Sequence, residues 1–144
     1  TNGWASLIFG RIDGSGAMNL TAYSWYGVLT LLRASAARTA CGPQTMAANN
    51  LTITTDADIV LSAALTGTGT LTVSQSSVAT TMGIGNAAAG TINLTAAEVA
   101  NITNGWASLI FGRIDGLGAM NLTATTWNDV LTLRSGIGVI TFFF

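Results

Sequence analysis

The chain contains no lysine and no histidine. Its cations are five arginines, at positions 11, 33, 38, 113 and 134, against six acidic residues, for a net charge of −1. With so few positive groups there is no basic patch to neutralise phosphates, so nucleic-acid binding is disfavoured. The absence of histidine removes the commonest general base and the commonest metal ligand. Cys41 is the single cysteine, so no intrachain disulfide can form. Charged residues make up 8% of the chain, far below the ~25% of an average globular protein. No stretch reaches the ~18–20 uninterrupted apolar residues of a membrane span, and membrane insertion is not expected.

What is present is apolar and small: 49% hydrophobic residues and 17 glycines. Threonine, followed by serine and asparagine, supplies most of the polarity, a composition shared by extracellular and cell-surface fibrous β proteins. The strongest single feature is an internal repeat. Thr1–Ala22 recurs as Thr103–Ala124 at a constant offset of 102 residues, with 21 of 22 positions identical and only Ser15 replaced, by Leu117. On this offset residues 1–42 are equivalent to 103–144. A repeat this long points to a chain built as an array, and the 144 residues are expected to be one segment excerpted from a longer array.

Short apolar runs punctuated by turn residues follow one another along the chain. Leu51-Thr52-Ile53-Thr54 alternates inward apolar with outward polar residues, the pattern of a half-buried strand. Similar runs at 7–9, 18–21, 28–31, 59–61, 71–73, 82–84, 92–95 and 100–102, with one allowed near Arg38–Ala40, give ten strands in 102 residues before the first run recurs at 109–111. Thr95-Ala96-Ala97-Glu98 fits a helix capping box, predicted to support one turn at most. Regular strands of this kind fit an antiparallel β-sandwich or a parallel β-solenoid. A sandwich is closed and gains nothing from re-entering its first strands after 102 residues, whereas a solenoid extends by stacking coils. The reading is therefore an all-β solenoid with about 20 residues per coil, about five coils per repeat and about seven in the chain. Phe142-Phe143-Phe144 stands where the first copy has Ala40-Cys41-Gly42, and residues 32–42 diverge most from their partners. Neither end reads as a polar cap, so the phenylalanines are expected to lie under a further coil.

Phe111-Gly112-Arg113-Ile114-Asp115-Gly116, Gly118-Ala119-Met120, Thr126-Trp127-Asn128-Asp129 and Leu131-Thr132-Leu133-Arg134-Ser135-Gly136 carry a resemblance. Together with Asn49-Asn50-Leu51-Thr52 and Gly67-Thr68-Gly69-Thr70-Leu71-Thr72, they resemble repeats of large secreted bacterial proteins of the filamentous-haemagglutinin and autotransporter-passenger type. The resemblance spans nearly the whole chain. It implies a right-handed parallel β-helix, export across an outer membrane, and a stalk or fibre displayed outside the cell.

Candidate chemistry is sparse. Gly83-Ile84-Gly85-Asn86-Ala87-Ala88 matches a loose dinucleotide fingerprint, but Gly90-Thr91-Ile92-Asn93-Leu94 reads as turn and strand where that motif needs a helix. Asp13-Gly14-Ser15-Gly16 lacks the alternating acidic ligands of a calcium loop and reads as a turn. Arg11/Asp13 and Arg113/Asp115 lie two apart and read as surface ion pairs. Trp4, Trp25, Trp106 and Trp127 fit either coil-corner packing or stacking on sugar rings. Asn-x-Thr triplets at Asn19, Asn50, Asn93, Asn101 and Asn121 are possible N-glycosylation acceptors, or simply turn asparagines followed by outward threonines. No catalytic residue, cofactor or metal site emerges. The expectation is a non-enzymatic structural component of an extracellular bacterial fibre or adhesin stalk, partnered end to end with itself or by covalent continuation of the repeat. The alternative is a module that binds host or matrix glycans through its tryptophans and Thr/Asn faces, and the third reading is a β-helix polysaccharide-degrading enzyme.

Overall fold

A computed structural model describes residues 4–14, 16–33, 39–86 and 88–143. The Thr/Leu alternation resolves into short strands that stack in parallel. The first coil comprises β1 (Ser6–Arg11), β2 (Met18–Leu20) and β3 (Tyr23–Ser24). The second comprises β4 (Val28–Arg33), β5 (Thr39–Cys41) and β6 (Gln44–Thr45). The third has β7 (Leu51–Thr55), β8 (Ile59–Leu61) and β9 (Leu65–Thr66). The fourth runs through β10 (Thr70–Gln75), β11 (Met82–Ile84), β12 (Ile92–Leu94) and helix α1 (Ala96–Asn101). The fifth contributes β13 (Ser108–Gly112) and β14 (Met120–Thr123), and the sixth β15 (Leu131–Arg134) and β16 (Ile140–Phe143).

The molecule is a β-solenoid of stacked coils. Its first face is a six-stranded sheet in the order β1-β4-β7-β10-β13-β15. The pairings along it are all parallel, as they are in the other sheets. This excludes the antiparallel sandwich, whose consecutive strands would pair with opposite polarity.

Register on the first face follows the alternation of the sequence. Leu7, Leu29, Leu51, Leu71, Leu109 and Leu131 stand in one inward row, and Phe9, Leu31, Ile53, Val73, Phe111 and Leu133 in the next. Between them the outward row reads Ile8, Thr30, Thr52, Thr72, Ile110 and Thr132. A shift of one residue in any strand would turn its leucine outward, so the buried rows pin the register. The second face continues the same core with Cys41, Ile59, Leu61, Met82, Ile84, Ile92, Leu94, Met120 and Leu122.

The described residues form six coils, where about seven were expected. The 102-residue repeat holds four of them, where about five were expected. The leucine row gives the reason: its spacings are 22, 22, 20, 38 and 22 residues. The long fourth coil makes a detour. After β11 the chain doubles back, Ala88 packs inward, and β12 pairs in parallel with β11. β12 then lies against β8, with β11 between β12 and β14. The detour thus inserts one extra strand into the second face. The Gly83–Ala88 segment that carries the dinucleotide-like spacing is the end of β11 and the start of this return, followed by strand β12.

Helix α1 exceeds the single turn expected and takes in Ala100 and Asn101, where the sequence pattern places a strand over 100–102; the capping box and the buried Val99 win over the local apolar run. Thr95 Oγ1 accepts from the Glu98 N–H while the Glu98 carboxylate accepts from the Thr95 N–H, a complete capping box. The buried Val99 anchors the next turn, and Ile102 then bridges to Leu65. At the ends of β1 and β13, Gly10 and Gly112 have φ of +87° and +89°. A Cβ at Gly112 would stand 2.1 Å from the Arg134 carbonyl oxygen, so the strand can leave the sheet at this point only with glycine.

Candidate functional site

Because the two repeat copies are nearly identical, their differences in environment isolate what position in the stack does. Trp4 is 70% exposed and Trp106 3%; Phe9 is 40% exposed and Phe111 0%. The first copy forms the outermost coil, and the second lies between coils four and six. Exposed large hydrophobic residues among the described residues fall at 4–26 and 114–143, with none between. Over the first coil the core opens into a hollow of about 420 Å³, lined by Phe9, Met18, Leu20, Leu32 and Arg33 among others. At the other end Ile137, Val139, Phe142 and Phe143 are exposed. Phe142 and Phe143 belong to β16 of the last coil, and Phe144 lies outside the described residues.

The four tryptophans serve different ends. Trp25 donates its indole N–H to Gln44 Oε1 at 2.6 Å and meets the Phe9 ring edge-on, with centroids 5.9 Å apart. The buried Gln44 amide in turn donates to the Thr21 and Gly42 carbonyls, tying the corner of the second coil to the first. Trp127 packs on Phe111 in a tilted arrangement, with centroids 5.5 Å apart and ring planes at 55°. Trp106 is sealed into the stack: its N–H reaches the Leu65 carbonyl at 3.4 Å and its ring covers Gly67. Trp4 alone presents an open indole, on the same coil as the exposed Tyr23 and Tyr26.

The five glycosylation candidates also divide. Asn19 is exposed on β2. Asn50 is exposed too, but its Oδ1 accepts from the Thr70 N–H at 2.8 Å. Asn93, Asn101 and Asn121 are half-buried, donating side-chain amides to the carbonyls of Ala88, Leu61 and Ala89. These three are spent on holding the detour and the helix in place.

The carboxylates all serve as acceptors for local structure. Asp13 pairs with Arg11 at 2.6 Å, and Asp115 with Arg113 at 2.5 Å. The Arg113 guanidinium holds the Asp115 carboxyl below its usual range by hydrogen bonding. Asp56 receives the Ser77 N–H, the Ser77 hydroxyl and the Thr80 hydroxyl at 2.8, 2.5 and 2.7 Å. Partial burial pushes its carboxyl up, but these donors outweigh that and lower it overall. Asp58 accepts from the Asn93 N–H, and Asp129 from the N–H groups of Gly105 and Trp106. The Asp129 clasp has no counterpart in the first copy, where Gly27 stands in its place. Sequence reasoning missed these clasps because each acceptor lies 20 or more residues from its donors, one coil away.

Among the described residues, no group of three or more Cys, Asp or Glu side chains could hold a metal ion, and no helix is long and apolar enough to cross a membrane. The distinctive surfaces are the two end faces of the stack. Comparison of the chain with protein-family models, with curated proteins and with solved structures finds no match in any of the three, leaving the fold and these surfaces as the basis for a functional reading.

Proposed function

We propose that this protein is a structural component of an extracellular bacterial fibre or adhesin stalk, a stiff repetitive β-solenoid that gives reach and multivalent display. The observation that carries this reading is the unbroken leucine row through all six coils, with the exposed large hydrophobic residues, among those described, lying on the first coil and the last two. Hydrogen bonds between coils run along the stacking axis, so tension is borne by many parallel backbone bonds at once. Surfaces equivalent by sequence recur every 102 residues, so weak contacts would add by avidity. The composition, rich in Thr and Asn and poor in charge, supports an extracellular location, and the resemblance to filamentous-haemagglutinin-type repeats supports export.

The glycan-binding reading draws on less. It would have to rest on Trp4 with Tyr23 and Tyr26, since Trp106 is sealed and Trp25 and Trp127 are packed on the core. The test is immunogold electron microscopy of the source cells with antibody against residues 43–102, a segment containing no tryptophan. Labelled filaments outside the cell are expected; label confined to the cytoplasm would overturn the reading.

A further inference from the structure

We propose that the open face of the first coil is a docking surface for a coil with the sequence of residues 65–94 of this chain. The bound state is already visible in the molecule one repeat away. Beneath residues 103–124, that segment seats the Trp106 ring over Gly67 and accepts its N–H at the Leu65 carbonyl. It sets Met82 and Ile84 in register with Met120 and Leu122, and receives the N–H groups of Leu117 and Gly118 on the Val78 carbonyl. The Arg113 guanidinium reaches the carbonyls of Gln75 and Ser76, and Asn121 donates to Ala89 at 2.8 Å.

The first copy retains every side chain used in this seat, as Trp4, Arg11, Met18, Asn19 and Leu20; the one substitution, Ser15 for Leu117, falls where the contact is a backbone N–H. Without the seat, Arg11 bonds Asp13 with its side chain 79% exposed, against 26% for Arg113. Phe9, Met18 and Leu20 line the hollow, whereas their equivalents Phe111, Met120 and Leu122 pair in register with Val73, Met82 and Ile84 of the coil beneath.

The choice of occupant is specific. A second copy stacked end to end would bring the sixth coil, the equivalent of the second, against the first. Residues 131–143 carry neither the glycine seat nor the β11–β12 detour. The inference thus refines the fibre reading by naming which coil lies beneath which.

The test joins residues 43–102 ahead of Thr1 in the full chain, so that Asn101-Ile102 precedes Thr-Asn-Gly-Trp as it does at position 103. The added residues contain no tryptophan, so acrylamide quenching reads the original four indoles. A several-fold fall in quenching of the exposed indole is expected, and Trp4→Phe should abolish the change. The same extension carrying Gly67→Leu in the added segment should leave Trp4 quenchable. The proposal is overturned if Trp4 stays open in the extended chain, whether or not circular dichroism shows the added residues as β structure. It is equally overturned if Gly67→Leu makes no difference, or if the unextended chain protects Trp4 with rising concentration. None of these outcomes decides whether filaments form outside the cell, so the two readings fail separately.

Discussion

At the residue scale, identical side chains in unlike surroundings provide an internal control. Phe111→Ala should cost about 3–5 kcal/mol, as for other buried aromatics, whereas Phe9→Ala, on the open coil, should cost less than half as much. Chemical denaturation of the two variants measures the difference. Asp56 provides a second case. Its carboxyl ionises at lower pH in the folded chain than its ordinary value of 3.8. Its stabilising contribution is therefore fully present above that value and is lost as pH falls through the lower, folded one. Asp56→Ala should cost about 1–2 kcal/mol at neutral pH, discounted for partial exposure. It should also flatten the acid limb of a melting-temperature profile between pH 5 and pH 2, as about the range where a carboxylate titrates. Cys41 is 1% exposed, and the same burial pushes its thiol up to about 11, so thiol reagents at pH near 8, about where free cysteine reacts, should modify it only at the rate of unfolding.

The element scale shows how much was legible. Strands β4, β7 and β10 follow directly from the Leu/Thr alternation, because period two and burial on one face are the same fact. The solenoid followed from the repeat, since only an open-ended stack has room for its own first strands again. The detour between β11 and β12 was not legible. Its strands carry the same Leu/Ile/Asn/Thr signature as the others, and nothing local says that a strand pairs with its immediate successor instead of completing a coil. The sequence points to less than the full length of helix α1, because Val99 and Ile102 look like strand residues until β8 is beside them. The Glu98 carboxylate also accepts from the Leu61 N–H at 3.3 Å, tying α1 to β8. Thr95→Ala should therefore fray α1 at a cost of about 1 kcal/mol, seen as faster amide exchange over residues 96–101 with β7 and β10 unchanged.

For the whole molecule, the extra strand has a consequence for shape. Each 102-residue repeat adds four strands to the first face but five to the second, counting β2, β5, β8, β12 and β11. At ~4.8 Å per strand, the two faces advance by about 19 and about 24 Å per repeat, and across the ~10 Å between packed sheets this mismatch is a wedge of about 25°. A chain of several repeats should accordingly arc toward its first face, and with the twist of its sheets wind into a broad spring. Negative-stain images of a multi-repeat chain measure this directly: curved contours are expected, and straight rods would mean that the β8–β12 junction absorbs the wedge by slipping. A spring lengthens under load by unbending before any backbone bond breaks, so the detour would act as the compliance of an otherwise rigid stack.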